Sequence, residues 1–89
     1  MGKVSILKFS IENWMTSELG LNGNQLVLFA VLWNDSKHGI EPIKDDYAKY
    51  AAAINTTIPT YYNTFKKLVE KGLLTKVDGD KYNIKTRFK

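Results

Sequence analysis

Apolar residues recur at helical spacing in several stretches of the chain and alternate with polar ones near its C-terminal end. Residues 3–9, KVSILKF, are rich in β-branched and large apolar types and predict a short strand or an extended arm. Ser10 then caps a predicted helix over 10–19, in which Ile11, Trp14, Met15 and Leu19 share a face and Gly20 gives the stop. The clearest helix is predicted over 23–35. Asn22 and Gln25 form a variant of the capping box, and the body QLVLFAVLW is apolar nearly all round. Such a helix belongs at the centre of a core or at a subunit interface. Turn residues from Asn34 to Gly39 end it. Gly39 to Ile43 reads as an edge strand or connector, because Pro42 pushes Glu41 out of helical space.

Asp45 is the predicted cap of a helix over 45–54, which breaks at Asn55-Thr56-Thr57. Thr57 caps the next helix, over 58–71, with Pro59 in its first turn and Tyr61, Phe65, Leu68 and Val69 as the inner stripe. Gly72 is its left-handed stop. The remainder, LLTKV-DGD-KYNIK, predicts a hairpin over 73–85 turning at Asp-Gly, with Leu74, Val77, Tyr82 and Ile84 in its more apolar positions. The sum is a mainly α domain with a small β-hairpin, an α+β class. Nothing reads as a repeat or a linker, so residues 1–89 are expected to form one domain.

Composition narrows the function. Hydrophobic residues make up 44% and charged residues 25%, ordinary for a globular domain. The absence of cysteine excludes a disulfide scaffold, a thiolate zinc site and a cysteine nucleophile. No stretch reads as a signal peptide or a membrane span, and a cytoplasmic location is expected. The net charge of +4 is mild, but its placement is not uniform. Acidic residues gather at Asp35, Glu41, Asp45 and Asp46. Lys66, Lys67, Lys71, Lys76, Lys81, Lys85, Arg87 and Lys89 make the C-terminal end a basic pole.

Two helices joined by a short turn make a helix-turn-helix, here over about 45–71. Ala51 allows close approach before the turn, Asn55 tolerates the left-handed conformation, and Tyr61 and Phe65 lock the second helix on the first. On these residues the chain resembles the winged helix-turn-helix family of DNA-binding domains. The matching run is YAAAINTTIPTYYNTFKKLVEKGLL, from Tyr50 to Leu74, and the following LTKVDGDKYNIK looks like the wing, over about 73–85. A looser likeness, carried by NGNQLVLFAVLW, extends to the small domains that begin phage replication-organiser proteins. Thr56 stands where the family commonly has Val or Ile, and Ile58 where a polar residue is more usual.

The resemblance implies double-stranded DNA as partner, in transcription regulation or phage-type replication initiation. It implies that the helix starting at Ile58 enters the major groove by its N-terminal half. Thr60 and Asn63 would then read base edges, and Ile58 and Pro59 would meet thymine methyl groups. Thr57 and Tyr62 suit phosphates. Lys66, Lys67, Lys76 and Lys81 supply salt-dependent attraction to the backbone. The helix has no Arg, so Arg-led guanine readout is not implied. The Asp78-Gly79-Asp80 tip is expected near a minor groove and not deep in it.

The same residues admit other readings. Tyr47, Tyr50, Tyr61 and Tyr62 read as half-buried core in preference to a single-strand stacking surface. Asp45 with Asp46 reads as a helix cap in preference to a metal or acid–base pair. His38 is the sole histidine and stands in a polar turn. Trp14 and Trp33 read as core. With no phosphate loop, nucleophile–base pairing or metal spacing, neither an enzyme nor a cofactor, metal or small-molecule substrate is expected. The alternative is a winged-helix protein–protein interaction module in a replication or transcription assembly. A homodimer through the helix from Asn24 to Trp33 and the KVSILKF arm is the further expectation.

Overall fold

The computed structural model describes residues 11–85. The arm over 3–9, the Ser10 cap, and Arg87 and Lys89 lie outside the described residues. Among the described residues, four helices and a three-stranded antiparallel sheet form an α+β domain. The helices are α1 (Asn13–Ser17), α2 (Gly23–Asp35), α3 (Tyr47–Ala53) and α4 (Ile58–Glu70). The strands are β1 (Ile43–Lys44), β2 (Leu74–Asp78) and β3 (Lys81–Ile84), in the order β1-β3-β2.

α2 is the centre of the core. Leu28, Phe29, Ala30, Val31, Leu32 and Trp33 are all buried, packed among α1, α3 and α4, whereas Gln25, Leu26 and Val27 are half-buried. Leu28 to Trp33 are thus taken up by the core of the domain. Asn22 stands at its N-cap, but its side chain makes no capping bond, so the predicted box does not form. α1 is shorter than the pattern over 10–19 predicts. Trp14 and Met15 are buried against α2, with Trp14 edge-on to Phe29 and Trp33 at 5.9 and 5.4 Å, whereas Ile11 points outward. One buried turn suffices to place Trp14.

Helices α2, α3 and α4 end in the same way. In each, a left-handed residue follows the C-cap and two backbone N–H groups bond back to the last turn. At α3 the residue is Asn55 (φ +56°), with Asn55 N–H to Ala52 O and Thr56 N–H to Ala51 O at 3.1 and 2.9 Å. At α4 it is Gly72 (φ +78°), with Gly72 N–H to Val69 O and Leu73 N–H to Leu68 O at 2.9 and 3.0 Å. At α2 it is Lys37, followed by His38 and Gly39, also left-handed. Buried Ser36 holds this run: its Oγ donates to Trp33 O and accepts from Gly39 N–H, both at 2.8 Å. His38 stacks on Trp33 at 4.3 Å.

Three details of the C-terminal half differ from the sequence pattern. Asp46, not Asp45, caps α3, accepting from Lys49 N–H at 3.2 Å, so the helix begins at Tyr47. Thr64 takes the inner position expected of Val69, which is exposed. Thr64 satisfies its hydroxyl on Thr60 O at 2.9 Å and so tolerates burial. The hairpin turns at Gly79-Asp80, with Asp78 already paired to Lys81, and Val77 is the extra residue of a β-bulge. The bulge turns Val77 to solvent. β1 is the edge strand that the stretch ending at Ile43 allowed; it begins at Ile43 and pairs that residue with Tyr82.

Candidate nucleic-acid interface

α4 is the best-anchored element with an exposed face. Thr57 caps it, its Oγ1 accepting from Thr60 N–H at 3.3 Å, and Pro59 fits the first turn where no N–H is needed. Tyr61, Thr64, Phe65 and Leu68 face inward. The Tyr61 hydroxyl donates to the Asp45 carboxylate at 2.6 Å, which ties α4 to the β1–α3 junction. Asp45 N–H in turn donates to Asp80 O at 2.9 Å and holds the hairpin tip to the same junction. Tyr50, on α3, donates its hydroxyl to Asp35, which also pairs with Lys49 at 3.3 Å. Two of the acidic residues gathered in the middle of the sequence are therefore acceptors for core tyrosines. Burial, then the hydrogen bond to Asp35 or Asp45, pushes both phenols above the ordinary tyrosine range.

The sequence-derived site residues divide by position. Ile58, Pro59, Tyr62, Asn63, Lys66 and Lys67 are exposed on α4. Thr57 is exposed and donates its hydroxyl to Thr60 Oγ1 at 3.0 Å, so that proton is committed to the cap. Thr60, half-buried, keeps its own hydroxyl proton for an outside partner. Lys76 pairs with Tyr82 across β2 and β3, two residues from the buried Leu74–Ile84 pair. Alternation puts Lys76 on the sheet face that looks toward α4. Lys81 falls on the opposite face, beside Lys44 of β1 and near the Lys44–Asp80 ion pair at 4.0 Å. The structure thus brings nine of the ten residues to α4 and its side of the sheet and separates Lys81 from them. The ion pairs among the described residues are Lys37–Glu41, Lys44–Asp80 and Lys49–Asp35; Lys66, Lys67 and Lys76 take part in none.

Beside this face runs a groove of about 440 Å³ between α4 and the sheet. Tyr62, Phe65, Val69 and Tyr82 give it apolar walls. Tyr82 meets Phe65 edge-on at 4.9 Å. Tyr47 and Tyr62 are exposed and lie 5.9 Å apart, while Tyr50 and Tyr61 are core. Partial desolvation, with Asp45 and Tyr47 nearby, raises the Tyr62 phenol. Sequence reasoning missed Tyr82, Val69 and Asp45 as lining of this groove, which lies beside the face of α4. The available signal was the i, i+4, i+7, i+11 seam of Ile58, Tyr62, Phe65 and Val69, which is wider than one buried stripe needs.

Among the described residues no three His, Cys, Asp or Glu side chains gather as metal ligands, and no helix is long and apolar enough to cross a membrane. Comparison with protein-family models, curated proteins and solved structures finds no match.

Proposed function

We propose that the chain is a winged helix-turn-helix domain that binds double-stranded DNA, with α4 as recognition helix and the β2–β3 hairpin as wing. The observation that carries this reading is the exposed face of α4. Asn63 and Lys66 stand on a helix fixed at its start by the Thr57 cap and in its first turn by the Tyr61–Asp45 bond, with lysines unpaired beside them. Entering the major groove, Asn63 pairs with an adenine edge, Thr60 donates to a base or phosphate, and Ile58 and Pro59 meet thymine methyl groups. Tyr62, Lys66, Lys67 and Lys76 reach the backbone on the same side. Lys81 adds only long-range attraction, because it faces away. A domain of this kind serves transcription regulation or phage-type replication initiation, without catalysis of its own.

The test is a duplex-binding titration of the wild type and the Asn63→Ala/Lys66→Ala double variant. The reading expects affinity to drop on the order of tenfold or more for the double variant. Equal affinity for the two proteins would remove α4 as the docking face.

The exposed Ile58 and Tyr62 favour a second reading, a protein-interaction module using the same helix. It expects no duplex binding at low salt and loss of a protein contact on Ile58→Asp.

A further inference from the structure

The groove between α4 and β3 has a composition that phosphate contacts alone do not explain. Its walls are three aromatic rings and a valine, and its volume of about 440 Å³ falls in the range of small-molecule sites, about 300–1,000 Å³. Its rim is polar and one-sided. Asn63 and Lys66 line it from α4, and Lys76 stands across β2 from Tyr82 on the same sheet face. Asp45 closes the remaining side. One of its carboxylate oxygens takes the Tyr61 hydroxyl, and the group keeps further acceptor capacity for an outside donor.

A matching ligand is flat and apolar on its faces, carries donors on its edge, and is anionic on either side. Those are the properties of a nucleobase within its phosphodiester chain. An aliphatic peptide side chain would fill the walls but leave Asp45, Asn63 and the lysines without partners. We infer that this groove receives one unstacked nucleobase, held between Tyr62 and Tyr82 and read at its edge by Asp45. Asp45 only accepts when ionised, so it pairs with a donor on the base edge, an exocyclic amino group or the N3–H of an unpaired thymine. A base in an intact duplex is stacked and out of reach. The ligand is therefore DNA with an unpaired nucleotide beside the duplex that α4 docks on, and the inference rests on that docking.

The experiment compares three probes of equal length at one salt concentration: a perfect duplex, the duplex with one unpaired central adenine, and the duplex with one unpaired central thymine. The wild type is expected to bind both unpaired-base probes more tightly than the perfect duplex, the adenine probe on the order of tenfold. Val69→Phe fills the groove from an exposed position and should abolish this preference while leaving perfect-duplex affinity unchanged. Tyr82→Leu, checked for folding by its thermal transition, should do the same. Substituting 2-aminopurine for the unpaired adenine gives an independent readout, a fluorescence change present in the wild type and absent in Val69→Phe. Equal wild-type affinity for the adenine probe and the perfect duplex overturns the inference and leaves duplex docking standing, as does a preference that survives Val69→Phe. Binding to none of the probes overturns both.

Discussion

Replacing Tyr61 with Phe removes one oxygen from the bond that joins α4 to the β1–α3 junction. Tyr61 is 0% exposed and its ring is unchanged by the substitution, so packing against Phe65 and Tyr62 is retained. What is lost is a 2.6 Å bond to a carboxylate. Bonds to charged groups contribute about 1.5–3 kcal/mol. Asp45 is half-buried and regains part of its hydration, which puts the expected loss near the lower end, about 1.5 kcal/mol. For a domain of this size that lowers Tm by about 6–12 °C. Urea and thermal unfolding of wild type, Tyr61→Phe, Asp45→Ala and the double variant give the coupling between the two groups. A Tyr61→Phe loss under about 0.5 kcal/mol, or additive single variants, would refute the assignment of this bond as the anchor of α4.

The raised phenols of Tyr50 and Tyr61 set a pH dependence. Both stay neutral in the folded state, while the unfolded chain ionises near the ordinary value of about 10, so their contribution is complete below about pH 10 and falls as pH rises above it. Each tyrosine adds about 1.4 kcal/mol per pH unit to that fall, and Tyr61→Phe should roughly halve the slope seen in alkaline urea titrations. At Asn55, substitution by Val should destabilise by about 1–2 kcal/mol because the left-handed conformation is retained only at a steric cost, whereas Asn55→Gly should stay within about 0.5 kcal/mol; denaturant midpoints distinguish them. Thr57→Ala removes the α4 cap and should cost about 1 kcal/mol in the same assay. Light scattering or centrifugation of the protein is expected to show no dimer formed through Leu28–Trp33 of α2, since these residues are taken up by the core.

The helices were legible where one residue type had one conformational use. Thr57, Asn55 and Gly72 each mark a cap or stop, and the structure has them there. The unbroken apolar run in α2 identified the central helix for the same reason. Places where two residues compete for one role were not legible. Asp45 and Asp46 are equal candidates for a cap, and the choice is made by Tyr61, sixteen residues away, which claims Asp45. Thr64, three residues after Tyr61 and four before Leu68, lies on the inner stripe by helical period, and its hydroxyl is masked as a polar signal by its bond to Thr60 O, whereas apolar Val69 is turned about 100° past Leu68. The Gly79-Asp80 turn depends on a bulge at Val77 that no local pattern announces. Lys76 and Lys81 look equivalent in sequence, and only strand register puts them on opposite faces. The groove escaped notice because Tyr82 and Val69 come together through the packing of β3 on α4.

The salt dependence of duplex binding tests the central claim most directly, measured by fluorescence anisotropy on wild type, Lys66→Ala and Lys81→Ala. If α4 and its side of the sheet dock on the backbone through Lys66, Lys67 and Lys76, log affinity falls with log salt at a slope of about −3. Lys66→Ala should then reduce the slope by about 1, and Lys81→Ala should leave it nearly unchanged. No duplex binding at low salt, or a slope that responds to Lys81 and not to Lys66, would contradict the account.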